Sequence, residues 1–146
     1  MMTEAILIFL KHDCPTCVLV GPLLSEIQHS NSNLRIITQN EASFFPELDV
    51  EEDLDLNMSY EFNVETVPTV IKTENNQEKQ RWVGWNKREW KNIFKITSIH
   101  ETLPEMKPGC GSRSVEPGIY EKLVVKFGGV QFKSRNLKIN GLDCLL

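Results

Sequence analysis

An apolar run, Ala5-Ile6-Leu7-Ile8-Phe9-Leu10, ends at Lys11-His12-Asp13-Cys14-Pro15-Thr16-Cys17 and gives way to a helical pattern. This order constrains the fold more than any other part of the chain. The run shows no polar–apolar alternation, so it predicts a strand buried on both faces, as at the centre of a parallel sheet. Pro15 suits a first helical position, where a missing N–H costs nothing. Cys17, Leu19, Val20, Leu23, Leu24 and Ile27 then predict an apolar helix face, with Glu26 and Gln28 outward. Pro22 falls inside that helix and predicts a kink. Two cysteines three apart therefore sit at a strand exit and a helix entrance. There a helix N-terminus stabilises a thiolate on Cys14, and Cys17 lies within closing distance.

The next elements follow by pattern. His29-Ser30-Asn31-Ser32-Asn33 is turn chemistry. Leu34-Arg35-Ile36-Ile37-Thr38 reads as a second strand, which completes a right-handed βαβ unit with parallel strands. Residues 39–49 look irregular. Five acids fall in Asp49–Leu56, and Leu54, Met58 and Phe62 recur at i, i+4, i+8, which predicts a helix over about 51–62. The glycine and terminal Glu of a calcium loop are absent there. Val64–Ile71 reads as a strand interrupted by Pro68. A turn over 74–78 leads to an antiparallel return strand, 80–83. Gly84 ends it, and Lys87–Ile99 predicts an amphipathic helix with Trp90, Ile93, Phe94 and Thr97 on one face. The expected order is β-α-β-α-β-β-α.

Length and charge bound the rest. The chain has 146 residues, enough for one domain and an appendage. Residues 1–100 carry 9 basic and 15 acidic side chains, and residues 101–146 carry 7 and 5. That asymmetry marks a compositional break near residue 100. We expect a domain over 1–100 and a Pro/Gly-rich linker and extension over 101–146. Within the extension, residues 121–127 are apolar-rich and 130–132 strand-like. A net charge of −4 gives no electrostatic case for nucleic acid or an anionic membrane. Glu4 ahead of a short apolar run is unlike a signal peptide, and no run approaches the roughly 18 apolar residues of a membrane span. A cytosolic location is the expectation, where C-x-x-C reads as redox or metal chemistry.

The features taken together resemble the thioredoxin superfamily over roughly residues 4–98. Cys14-Pro15-Thr16-Cys17 stands at a strand-to-helix turn. Pro22 follows Cys17 by five residues, where thioredoxins carry the proline that kinks the active-site helix. Thr66-Val67-Pro68-Thr69 is similar to the family's cis-proline loop, and Val83-Gly84 to the Val-Gly after its final strand. The resemblance implies an α/β fold, a thioredoxin-like three-layer sandwich with a mixed central sheet and helices on both faces, here followed by an irregular C-terminal extension. It also implies thiol–disulfide exchange with a protein disulfide or dithiol. Cys14, exposed, would attack as thiolate, and Cys17, more buried, would resolve the mixed disulfide. Pro68, in cis, would offer the Val67 backbone to an extended substrate segment, with Pro15, Thr16 and Trp85 bordering it. No cofactor beyond the Cys14–Cys17 disulfide is implied. A reductase or reduced-thiol donor would restore the pair, in a multi-domain or multi-component system.

Departures from the family pattern are informative. Asp13 stands where thioredoxins have Trp, and its charge is expected to raise the Cys14 pKa. Ile8 stands where they bury a carboxylate, which leaves His12 as a candidate for proton transfer. Cys-Pro-x-Cys also resembles glutaredoxins, but Gly84 is followed by Trp85-Asn86 and not by a Gly-Gly-Cys/Asp pattern. A zinc site would need two further ligands, and Cys110, Cys144, His12 and His100 follow no zinc spacing. Cys110, between two glycines, is a candidate extra thiol. The rival readings are a thioredoxin-fold binding module with little redox activity and a glutathione-dependent enzyme.

Overall fold

The computed structural model describes residues 3–96 and 102–127. The helix end expected at Thr97–Ile99, His100, the strand-like 130–132 and Cys144 lie outside them.

The sheet is mixed and has five strands, in the order β3 (Val50–Glu52), β2 (Leu34–Thr38), β1 (Glu4–Leu10), β5 (Thr69–Glu74), β6 (Gln77–Val83). Strand β1 is central, parallel to β2 and antiparallel to β5. Leu7, Ile8, Phe9 and Leu10 are all buried. Successive side chains of a strand point to opposite faces, so both faces of the sheet are covered, which makes it the middle layer of a sandwich. Each such side chain contributes about 1.5–3 kcal/mol of burial. Helix α1 (Pro15–Ser30) carries Val20, Leu23, Leu24 and Ile27 into the same core. Pro22 lies inside it, so the Val18 carbonyl has no amide one turn on.

The acidic stretch is where expectation and structure part. Val50–Glu52 forms an edge strand, β3, parallel to β2, and Glu51 grips Arg35 through two hydrogen bonds of 2.7 and 2.8 Å. Helix α2 is only Asn57–Glu61. A helix through 51–62 is prevented at Leu56, whose φ of 62° is left-handed. Asp53 turns inward and accepts from the Met58 and Ser59 amides and the Ser59 hydroxyl at 2.7–3.0 Å. The acid therefore starts the helix after it and does not sit inside it.

Strand β4 (Thr66–Val67) precedes Pro68, and β5 follows it. The hairpin from β5 to β6 (Gln77–Val83) turns on Asn75 and Asn76 alone, at φ of 54° and 66°. Two consecutive left-handed asparagines are what a two-residue primed turn requires. A short β7 (Trp85–Asn86) leads into α3 (Lys87–Phe94), capped by the Asn86 side chain on the Glu89 amide. The helix ends at Phe94, where Lys95 takes a left-handed φ of 54°.

Residues 102–127 dock on this body. Strand β8 (Met106–Lys107) pairs with β7, and β9 (Cys110–Gly111) pairs with β4. Helix α4 (Ile119–Phe127) follows, and its Leu123 packs on Leu56 and Tyr60. The linker-like composition of 104–118 thus encodes a bound strap.

Candidate active site

Cys14 is the N-cap of α1, in extended conformation, and its Sγ accepts from the Cys17 amide at 3.2 Å. Pro15 takes the first helical position and stays exposed. Cys17, one turn on, points into the core with 0% exposure. The Val67–Pro68 peptide bond is cis, and Pro68 is buried beside β1's end of the sheet. As a thiol, Cys14 donates to the Val67 carbonyl at 3.5 Å. The sequence thus brings Cys14, Cys17 and Val67 into one cluster.

The electrostatics split the pair. The Cys17 thiol, hydrogen-bonding to Cys14, lowers the Cys14 pKa from 9.0 to about 5. Burial opposes the shift, while the Cys110 thiol and the Cys17 and Thr16 amides assist it. Burial pushes the Cys17 thiol the other way, well above the ordinary range, and the neighbouring Cys14 adds to this. The two sulfurs therefore favour different forms, Cys14 the thiolate and Cys17 the thiol. The Asp13 carboxylate does not reverse this arrangement. It is turned outward to the Lys11 ammonium at 3.7 Å.

Two expectations need correction, those on Cys14 and Trp85, and two further candidates, His12 and Thr16, have other partners. Cys14, expected to be exposed, has 0% exposure, because the strap crosses the site. Trp85 does not border an open groove. It is buried against Trp90, at 5.1 Å between ring centres, and its indole N–H donates to the Pro104 carbonyl at 2.7 Å. His12 stacks flat on Phe44 at 3.9 Å, and no hydrogen bond joins its ring to either cysteine among the described residues. Thr16, expected to meet a substrate, donates its hydroxyl to the Pro108 carbonyl at 2.6 Å.

Cys110 belongs to the site. It pairs in register with Val67, while Gly111 pairs with Thr66. Beyond it the Ser112 amide donates to the Glu65 carbonyl at 2.9 Å. Two features escaped the sequence reading. Lys11 is nearly buried; burial and the neighbouring Cys14 raise the Cys110 thiol pKa, and the Lys11 charge opposes this in part. Gln39, fully buried, donates to Ser59 and Ser112 hydroxyls at 2.9 and 2.8 Å and accepts from the Arg113 amide at 2.9 Å. Neither residue stands in a motif. The glycine-flanked cysteine was the visible signal. Among the described residues, no group of three or more His, Cys, Asp or Glu side chains is placed to hold a metal ion.

No family model matches the chain, and no curated protein matches its sequence. Solved structures do match its fold. StoA from Bacillus subtilis superposes with a TM-score of 0.53 at 15% identity, over 64% of this chain and 82% of that one. DsbF of MTB, in its mixed oxidised and reduced forms, superposes with a TM-score of 0.50 at 16% identity, over 66% and 81%. With the mixed sheet and the layers on both sides of it, these likenesses show that the chain has the fold of the thioredoxin superfamily.

Proposed function

We propose that this protein is a thiol–disulfide oxidoreductase that exchanges a dithiol for a disulfide with a protein partner through Cys14 and Cys17. The observation that carries the reading is the placed pair: Cys14 at the N-cap of α1 with its Sγ on the Cys17 amide at 3.2 Å and on the Val67 carbonyl at 3.5 Å, and Cys17 buried one turn on. Cys14 Sγ attacks one sulfur of a partner disulfide, and the other partner sulfur leaves as thiolate. Cys17 then gives its proton to that leaving group and attacks Cys14 Sγ. The second partner sulfur leaves as a thiolate and takes a proton from water, so the partner departs as a dithiol, two electrons richer, and Cys14–Cys17 remains as a disulfide. Cys17 ionises more readily at this stage, because the Cys14 charge that added to the effect of burial has gone into a covalent bond. The Val67 backbone and Pro68 supply an edge for an extended partner segment. Pro15 forms its rim. A reduced-thiol donor restores the dithiol, and a reducing compartment such as the cytosol suits this direction.

One observation favours the rival binding module, namely that Cys14 is fully covered. Insulin-disulfide reduction separates the readings, run once with thioredoxin reductase and once with glutathione and its reductase. Turnover that is lost in Cys14→Ser supports the proposal, and the coupling that works identifies the donor. No turnover in either system, from folded protein whose Cys14 alkylates only at ordinary thiol pH, would transfer the reading to the module.

A further inference from the structure

The strap lies where a partner peptide would lie. Cys110 stands directly opposite Val67 in an antiparallel bridge, next to the cis bond before Pro68. Its neighbours fix that position on both sides. The Thr16 hydroxyl holds the Pro108 carbonyl, and the Glu65 carbonyl takes the Ser112 amide. Gly109 passes so close that a Cβ there would stand 2.4 Å from the Val67 oxygen, whereas a Cβ on Gly111 would meet nothing within 4 Å. The glycine before the cysteine is thus a docking requirement. Cys14 Sγ itself lies 3.5 Å from the Val67 oxygen, so Cys14 and Cys110 share a neighbour, and their thiols interact. Cys110 remains only half-buried, whereas Cys14 and Cys17 have no exposure.

We infer that Cys110 is a third redox thiol and that residues 106–112 are a tethered occupant of the peptide groove. The inference rests on the exchange reading above and names an internal partner for it. Starting from the Cys14–Cys17 disulfide, Cys110 loses its proton to water and its thiolate attacks Cys14 Sγ. The Cys14–Cys110 bond forms, the Cys14–Cys17 bond breaks, and Cys17 leaves as a thiolate that takes a proton from water. No electrons enter or leave. The exchange carries the disulfide from a buried pair to a half-exposed sulfur. Burial of Cys17 favours its protonated, released form and so draws the exchange forward. Burial holds the Cys110 thiol above its ordinary range, and the Lys11 ammonium opposes this only in part, so the attack calls for mildly alkaline pH.

Peptide mapping of the full chain tests this, in a Cys144→Ser background that leaves only the three thiols of the site. The reduced protein and its Cys17→Ser variant are oxidised with diamide at mildly alkaline pH. They are then blocked with iodoacetamide and cut with trypsin without reduction. Trypsin places Cys14 and Cys17 together in peptide 12–35 and Cys110 in peptide 96–113, so only a Cys110 linkage joins the two. The expected result is the joined pair as the main intramolecular product of Cys17→Ser. Cys110 linkage should also grow with time in the wild-type pair after the oxidant is removed. Joined peptides absent from both proteins, with an intact Cys14–Cys17 disulfide in the wild type, would overturn the inference and leave the exchange reading standing. Absence of any disulfide at Cys14 in the wild type would overturn that reading and the inference with it.

Discussion

The Thr16 hydroxyl donates to the carbonyl of Pro108 at 2.6 Å, which ties the middle of the Cys14–Cys17 motif to a segment 92 residues further on. A neutral hydrogen bond of this kind contributes about 0.5–1.5 kcal/mol net. Thr16→Val keeps the shape and removes the donor. Because Cys14 is reached only when the strap lifts, its alkylation by iodoacetamide near neutral pH should speed up about 2- to 10-fold. An unchanged rate would mean that the strap does not limit access.

The two neighbouring thiols should divide the Cys14 shift unequally. The Cys17 thiol is the largest favourable cause and the Cys110 thiol a smaller one. Cys17→Ala should therefore raise the thiolate pKa of Cys14 more than Cys110→Ala does. Ultraviolet absorbance of the thiolate against pH measures both. The reverse order would show that Cys110 and not Cys17 holds the charge.

Folding also depends on this charge. The Cys14 pKa is depressed from 9.0 to about 5 in the folded chain, so the unfolded chain binds the extra proton between those values. Its contribution to stability is full above about pH 9 and declines as pH falls to about 5. Cys17 has the opposite sign. Its raised pKa contributes below the ordinary thiol range and is lost as pH rises beyond it. The denaturation midpoint of the reduced protein, relative to Cys14→Ser, should climb from about pH 5 towards pH 9. A flat difference over that window would contradict the assignment.

Much of this architecture was legible because side chains announced it. The apolar run of β1, the Cys14-Pro15-Thr16-Cys17 turn, Pro22 and Pro68 each impose a local geometry through their own chemistry, and the sheet follows. The misses share a different cause. Leu56 and Lys95 adopt left-handed backbones, which no periodicity in leucine or lysine signals. β8 and β9 are two-residue bridges made by main-chain groups, which every residue except proline possesses. A Pro/Gly-rich composition forbids regular long elements but says nothing about such bridges. The sequence therefore predicts an exposed Cys14, because the segment that covers it has the composition of a linker.

Gln39 anchors the far end of the strap from inside. Its amide serves Ser59, Ser112 and the Arg113 amide at once. Gln39→Leu keeps the volume but leaves these buried groups short of partners, each at about 1–3 kcal/mol when unrelieved. The variant should lose roughly 1–3 kcal/mol in chemical denaturation, and amide exchange at Ser112 and Arg113 should rise with it. A stability unchanged from wild type would show that the three groups find other partners.

Gly109 and Gly111 flank the same cysteine and should respond differently. A methyl at Gly109 would stand 2.4 Å from the Val67 oxygen and 2.5 Å from Thr66 Cγ2, whereas one at Gly111 would meet nothing within 4 Å. The Val67 oxygen belongs to a backbone held between two elements, so the strap must give way. Overpacking of this kind costs about 1–3 kcal/mol. In Gly109→Ala, Cys14 alkylation should accelerate roughly 5- to 100-fold, and amide exchange at Cys110 and Ser112 should rise in parallel. Gly111→Ala should leave both near wild type, which separates a steric effect on docking from a general effect of replacing glycine. Equal behaviour of the two variants would show that the strap is not seated on Val67 in solution. Acceleration confined to Gly109→Ala, with no Cys14–Cys110 disulfide formed on oxidation of the same variant, would locate the contact at the bridge between Val67 and Cys110.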